Sequence, residues 1–289
     1  MNKTELSRKC PNITVVKKGE CIEKPIWGST CFISIHGIVS ETVNTQWIRR
    51  TTEASEYLQK DCIQLVIGNG DTSIDRQIEE GLTRMWVGEK ARLDLTLSPG
   101  ELKYVLRSSK NDDLLELSIE LTLEKIDSCE PLWRWNKDKL IGSAIVSKLR
   151  GNELFSAKRY VDAFFRYSIA AKYLTMVDPL STDNDDAKIQ LAAIRNNIAF
   201  VQHLYKNFEE VIFISSLVVD DYRDNIKARL RRAAAYIELQ DYERAAKDLE
   251  VVFKVEKNNR DALRLAKDLS KRQKEFDLTM ADKMKKLFS

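Results

Sequence analysis

Lys148 and Asn152, in the stretch KLRGNELF, stand four residues apart on either side of Arg150 and Gly151. On a helix that spacing puts both side chains on one face, where an ammonium and a carboxamide can hold a carboxylate between them. One such pair is equally an ordinary solvated turn, so the rest of the chain must supply further donors or withhold them. Competing chemistries are thinly represented. The chain has two histidines, His36 and His203, and five cysteines, Cys10, Cys21, Cys31, Cys62 and Cys129, without a C-x-x-C pair. A metal site would need an unusual ligand set, and none is expected. The cysteines are expected to be mostly reduced, partly buried small hydrophobes. No Ser-His-Asp or Cys-His pattern stands out. The GNG at 68–70 is too short for a phosphate loop and lacks the Lys-Ser/Thr that follows in one. Neither a catalytic residue nor a cofactor is expected.

The composition, 43% hydrophobic and 31% charged over 289 residues, is that of a soluble globular chain with room for about two domains. Lys and Arg number 47 against 44 Asp and Glu, with the signs interspersed, so nucleic acid is a poor partner. MNKTELSRKC is polar and has no apolar h-region, and a secretory signal is not expected. No apolar run of roughly 18 residues, the length that spans a bilayer, is present. MADKMKKLFS reads as a charged helix rather than a tail anchor. The expected setting is the cytoplasm, with the nucleus as a second site, and no membrane.

Two halves differ in period. Up to about residue 127, CFISIHGIV, CIQLVIG, ARLDLTLS and LLELSIELTLEKI are alternating or block-apolar, rich in Val, Ile, Leu and Thr, and bounded by Gly, Pro, Asn or Asp. These are strand patterns. From about Asp138 the chain is rich in Ala, Leu, Lys, Arg and Glu with apolar residues three and four apart, which predicts helices. The fold class is therefore multidomain α+β. CEPLWRWNKD looks like the joint, and Trp133 and Trp135 are expected to pack the halves together.

The helical half repeats. Gly151, Leu154, Tyr160, Ala163, Tyr167 and Ala170 have spaced counterparts in Ala233, Tyr236, Tyr242, Ala245, Leu249 and Val252, and a middle copy runs through Ala199, Gln202, Phe208, Val211, Ser215 and Val218. The pattern resembles the tetratricopeptide repeat. The expected division is a β domain over 1–127, a linker and start of the first repeat helix over 128–143, three repeats over 144–259 (about 144–177, 192–225 and 226–259), and a capping helix over 260–289. The first two copies are offset by an extra 14 residues in and around TMVDPLSTDNDDAKIQ, which are expected in a loop, where insertions cost little. The DNDD within it lacks the Gly of a calcium loop and is expected to be solvated. Leu265, Leu269, Phe276, Met280 and Leu287 form a stripe suited to the cap of a repeat stack; its basic, Met-containing face also fits a calmodulin target.

One subclass of these repeats binds free peptide C-termini through a carboxylate clamp, with K-x-x-x-N on the first repeat, Asn on the second and K-x-x-x-R on the third. The resemblance assigns these roles to Lys148 and Asn152, to Asn197, and to Lys227 and Arg231. It implies the acidic E-E-V-D tail of heat shock protein 90, or of heat shock protein 70, as ligand; the client stays unidentified. Another acidic C-terminus would meet the same donors.

IGNGDTSIDRQIEEGLTRMWVGEKARLDLTL resembles the FKBP-type immunophilin stretch, matching it at Gly68, Gly70, Gly81, Met85, Gly88, Glu89, Lys90, Ala91 and Leu93. FKBP domain, three repeats and terminal helix recur in this order in large immunophilins, and the FKBP-like protein branch, with a divergent isomerase domain, resembles this chain most. The resemblance implies a curved antiparallel sheet wrapped on a short helix, followed by an all-α repeat superhelix with a capping helix. A prolyl isomerase of this kind encloses proline in an aromatic pocket. Here the pocket tyrosine, tryptophan and phenylalanine fall on Ile35, Ile78 and Ile119, the F-D-S-S motif has no counterpart in ETVNTQWIRRTTEASEYLQK, and only Tyr104 stands near the tyrosine loop. The expectation is a non-enzymatic co-chaperone. The alternatives are an active peptidyl-prolyl isomerase brought to chaperone clients, and a scaffold for some other acidic C-terminus.

Overall fold

The computed structural model describes residues 10–20, 23–39, 55–59, 62–97, 115–177 and 185–287. The chain divides into two compact units, Met1–Asp178 and Pro179–Ser289. The first opens with strands β1 (Asn12–Lys17), β2 (Thr30–Val39) and β3 (Cys62–Val66), helix α1 (Ser73–Leu82), and strands β4 (Lys90–Leu97) and β5 (Leu115–Asp127). The strands form one antiparallel sheet in the order β1-β4-β5-β2-β3. Alternation decides its faces. Leu117, Ile119, Leu121 and Leu123 of β5 and Ala91, Leu93, Leu95 and Leu97 of β4 are buried together with Ile74, Ile78 and Leu82 of α1. The last three recur every fourth residue, so a single stripe of α1 covers the sheet. Thr72 starts that helix with a capping box: its hydroxyl accepts from Asp75 N–H, and the Asp75 carboxylate accepts from Thr72 N–H.

The four strands expected from the pattern are present. β1 was not anticipated. NITVVK is an edge strand with Val15 and Val16 exposed, so it lacks the alternation that burial imposes on a strand in the middle of a sheet. Of the described cysteines, all free thiols, Cys31 is buried, Cys129 half-buried, and Cys10 and Cys62 exposed, which corrects the expectation of general partial burial. Burial pushes the Cys31 thiol up to about 12.

Two helices complete the first unit, α2 (Lys137–Ser156) and α3 (Tyr160–Thr175). Their attachment to the sheet is polar and aromatic. Arg166 of α3 is buried; its Nε donates to Asp71 Oδ1, Nη1 to Gly68 O at 3.1 Å, and Nη2 to Asn69 O. Arg150 of α2 donates to the other Asp71 oxygen at 2.6 Å. Arg76 of α1 donates to Asp71 O at 2.6 Å and to Asp162 at 3.1 Å while lying over the Phe165 ring. Trp135 stacks on Tyr173, centroids 5.8 Å apart, and Tyr173 Oη accepts from Trp27 Nε1 at 2.9 Å. Trp133 does not take the packing role expected of it: it is 77% exposed, on the outward side of the short 3-10 turn Leu132–Arg134.

The second unit contains α4 (Asp185–Leu204), α5 (Phe208–Asp221), α6 (Ile226–Glu238), α7 (Tyr242–Val255) and α8 (Arg260–Leu287). With α2 and α3, these give three antiparallel helix pairs and a final long helix. Each pair turns in the same way. Lys158, Lys206 and Gln240 take φ of 62°, 59° and 61°, and the next N–H, of Arg159, Asn207 and Asp241, reaches back five residues to Leu154, Gln202 and Tyr236 carbonyls. That is a Schellman ending made three times without glycine. The crossing positions Ala199 and Ala233, and Ala163, Val211 and Ala245 on the facing helices, are fully buried. This is the tetratricopeptide fold.

The extra residues between the first two pairs are not all loop. α4 begins at Asp185, so DDAKIQ adds to the helix, and Asp185 and Asp186 occupy its first turn, where carboxylates complement the helix dipole. Residues 178–184 lie outside the described residues. In α8, Ala262 and Leu269 are buried with Leu265 beside them, as a cap requires, and Phe276 meets the Tyr242 ring at 6.0 Å. Further along, Met280 and Met284 are exposed; the side chain of Leu287 lies outside the described residues. No described helix is long and apolar enough to cross a membrane.

Replacing Asp71 by Ala leaves Arg166 buried without its carboxylate, and losing one partner of a buried pair costs about 3–5 kcal/mol. Urea unfolding followed by Trp135 and Trp27 fluorescence should show that loss in the first unit, with the helix signal of the second unit less affected.

Candidate functional site

The first two candidate residues lie on α2. Its N-cap is Asn136, whose side chain accepts from Lys139 N–H at 2.9 Å. About four turns on, Gly151 meets α3 so closely that an added Cβ would sit 2.6 Å from Tyr167 Cε1. Only glycine admits that crossing. It brings the Tyr167 hydroxyl to Asn152, where it donates to Oδ1 at 2.9 Å. Burial pushes the Tyr167 phenol up to about 12, so the hydroxyl keeps its proton and holds the Asn152 amide in one sense. With the amide oxygen occupied, the NH₂ group is the end left to donate. Asn152 is exposed and Lys148, one turn earlier, is half-buried. Arg150 between them is turned to Asp71 and Glu153, so it adds no donor beside Lys148 and Asn152.

The other three lie in the second unit. Asn197 is half-buried on α4, Lys227 is exposed in the first turn of α6, and Arg231 is half-buried one turn later. The N-cap of α6 is Asn225, whose Oδ1 accepts from Ala228 N–H at 3.0 Å. Cations crowd this helix, and their partners separate them. Arg229 and Arg232 both bind the buried Asp248 carboxylate of α7, at 2.8 Å and 2.7–2.8 Å. Arg231 instead donates to an amide, Asn196 Oδ1, at 3.0 Å, with its guanidinium 5.4 Å from the Phe200 ring centre. Two of the three guanidiniums thus share one carboxylate, and the third is held by a neutral group. Burial lowers the Arg231 pKa from its usual value.

Asn196 was not anticipated. The signal was in RNNI: two asparagines in a helix interior, where asparagine is a poor helix former because it competes for backbone hydrogen bonds, and only one had been given a task.

The positions that correspond to an isomerase pocket are aliphatic core. Ile78 and Ile119 are fully buried and Ile35 packs against the same cluster. From the stretch facing the F-D-S-S motif, residues 41–54 lie outside the described residues, as does Tyr104. Tyr57 of that stretch is buried and donates to Glu79 Oε1 at 2.7 Å; Glu79 also accepts from Gly68 and Gly70 N–H at 3.0 and 2.6 Å. Burial raises the Glu79 pKa against those hydrogen bonds. Among the described residues no group of three His, Cys, Asp or Glu side chains is placed to hold a metal.

Residues 5–128 match the family described as BDBT FKBP-like N-terminal. The β half is an FKBP-like domain. Human peptidyl-prolyl cis-trans isomerase FKBP4 is 23% identical over 85% of this chain and 51% of its own length. The fission-yeast protein named Hsp70/Hsp90 co-chaperone cns1 is 28% identical over 46% of this chain and 34% of its own. The chain thus spans about half, or less, of these relatives. A crystal structure of residues 1–211 of CG17282 shares the fold, with a TM-score of 0.50 at 21% identity over 68% of this chain and 90% of that one. The architecture is an FKBP-like domain followed by tetratricopeptide repeats.

Gly151→Val would force a Cβ into the Tyr167 ring, and overpacking of this kind costs about 1–3 kcal/mol. The expected outcome is a lower thermal midpoint and faster amide exchange in α2 and α3; Asn152→Ala, which removes the acceptor of the Tyr167 hydroxyl but adds no atom to the crossing, should lower the midpoint by less, at a cost of about 1 kcal/mol.

Proposed function

We propose that this chain is a co-chaperone adaptor whose repeats bind the acidic C-terminal tail of heat shock protein 90, or of heat shock protein 70, and whose FKBP-like domain is not an isomerase. The observation that carries the reading is the contrast on α6: Lys227 exposed and Arg231 held by an amide rather than a carboxylate, in register with Asn197 on α4 and with Lys148 and Asn152 on α2. Lys, Arg and carboxamides are the donors that an α-carboxylate and a neighbouring Asp side chain require. A relative named as an Hsp70/Hsp90 co-chaperone supports the choice of partner. Charged hydrogen bonds of this kind contribute about 1.5–3 kcal/mol each. Several of them, less the entropy of ordering a short tail, give roughly micromolar affinity. The proposed setting is the cytoplasm or the nucleus, where free thiols such as Cys10 and Cys62 persist.

A second reading, an active prolyl isomerase recruited to chaperone clients, has in its favour the name of the FKBP4 relative. Against it stand Ile35, Ile78 and Ile119 in aliphatic core, since the twisted amide is favoured by an enclosing pocket with a few directed hydrogen bonds.

Calorimetric titration with a peptide ending in Glu-Glu-Val-Asp should give binding that weakens with salt. Lys227→Ala or Arg231→Ala should each reduce it by about tenfold to a hundredfold, and wild-type affinity in both variants would sink the clamp. A protease-coupled prolyl-peptide assay should show no acceleration; acceleration suppressed by a pocket-blocking macrolide would establish the second reading instead.

A further inference from the structure

Arg231 does not stand alone at the helix surface. Its Nη1 donates to Asn196 Oδ1 at 3.0 Å. Asn196 is buried, and its amide nitrogen donates in turn to Asn225 Oδ1 at 3.4 Å. That same oxygen caps α6 by accepting from Ala228 N–H at 3.0 Å. A run of amides therefore joins the start of α6, the middle of α4 and the guanidinium one turn into α6. Phe200, four residues after Asn196 on α4, sets its ring beside the guanidinium. Nothing about helix stability favours asparagine at position 196, where leucine would be a better helix former; its hydrogen bonds account for it.

We infer that Asn196 is a positioning residue that fixes Arg231, in advance of binding and without neutralising it, for recognition of a peptide carboxylate. The inference rests on the clamp reading above. A free arginine side chain carries about 2 kcal/mol of rotamer entropy, and part of that is lost at binding unless the side chain is already ordered. Asp248, shared by Arg229 and Arg232, offsets one of their two charges. A carboxylate at 196 would also accept from Arg231 but would cancel its charge. An amide oxygen is the acceptor that achieves the first without the second. A guanidinium has five N–H groups, and Asn196 takes one of them.

The test compares Asn196→Leu, Asn196→Asp, Lys227→Ala and Arg231→Ala in the full chain. Each is titrated with a peptide ending in Glu-Glu-Val-Asp at low and high salt, and each is melted thermally. Asn196→Leu should weaken binding by about threefold to tenfold, the range for releasing one ordered side chain. Asn196→Asp is the decisive variant. It keeps an acceptor for Arg231 but turns a carboxylate oxygen toward Asn225 Oδ1 in place of the amide nitrogen that donates to it, so its melting temperature should fall to about that of Asn196→Leu; it should bind about as poorly as Arg231→Ala and with a flatter salt dependence. A merely structural Asn196 would give similar affinity in the Leu and Asp variants, following their thermal stability. Wild-type affinity in the two Asn196 variants, with loss in Lys227→Ala and Arg231→Ala, would overturn the positioning role and leave the clamp standing. Wild-type affinity in all four would remove the clamp, and this role with it.

Discussion

A carboxylate buried between two guanidiniums must be satisfied from several sides, because the desolvation of each ion costs several kcal/mol unless hydrogen bonds offset it. Asp71 meets that demand, and the first unit is organised around it. Its two oxygens take Arg166 and Arg150, and its carbonyl takes Arg76. The loop that carries it is held just as closely. Gly68 and Gly70 give their N–H groups to Glu79 of α1, while Gly68 and Asn69 give their carbonyls to Arg166 of α3. The peptide segment 68–70 is thus strung between a carboxylate and a guanidinium. Gly68 has φ of +101°, and a Cβ there would come 2.7 Å from the Trp27 ring, so the segment admits no side chain at that point. Sheet, α1, α2 and α3 become one body through these contacts. α2 is the helix that carries Lys148 and Asn152, so the FKBP-like domain holds the helix on which those two residues lie.

In the second unit, charge is sorted by the kind of acceptor rather than by distance alone. Arg229, Arg231 and Arg232 lie within one turn of α6. Two converge on Asp248, which is buried and fixes α6 against α7. A carboxylate there serves the fold, since it pins two guanidiniums in place and offsets half of their charge. Arg231 has the opposite need. An exposed Lys227 one turn away already raises the positive potential, and an amide partner preserves what Arg231 adds. The same helix therefore uses identical side chains for packing and for recognition, and the acceptor decides which is which.

Burial determined what the sequence revealed. Strands β2, β4 and β5 were legible because two-residue alternation is imposed by a sheet with one face covered; β1, with Val15 and Val16 in solvent, carries no such imprint. The repeats were legible through small residues at helix crossings, Gly151, Ala199 and Ala233. Their turns were not, because Lys158, Lys206 and Gln240 adopt a left-handed conformation that glycine usually advertises. Trp133 and Trp135 are two residues apart and alike in sequence; only the placement of Tyr173 separates the packed ring from the exposed one. The start of α4 at Asp185 was hidden because Asp residues suit a loop and a first helical turn equally. The candidate positions Lys148, Asn152, Asn197, Lys227 and Arg231 are read from spacing alone; Asn196 is not, since its meaning lies in a contact with Arg231 that is 35 residues distant.

The interior of the FKBP-like domain bears on what such a domain is for. Enclosing a proline needs a cavity with aromatic walls, whereas Ile35, Ile78 and Ile119 belong to a continuous aliphatic cluster with Leu93, Leu95 and Leu121. Closing that core does not alter the demands on the outer loop. Glu79, Asp71 and the glycines between β3 and α1 still have to meet Arg166 and Arg150, and the sheet and α1 have to stand in the FKBP arrangement for them to do so. These polar groups are therefore the ones that hold the first repeat. The FKBP arrangement thus serves the attachment of α2 and α3 independently of what fills the positions of Ile35, Ile78 and Ile119.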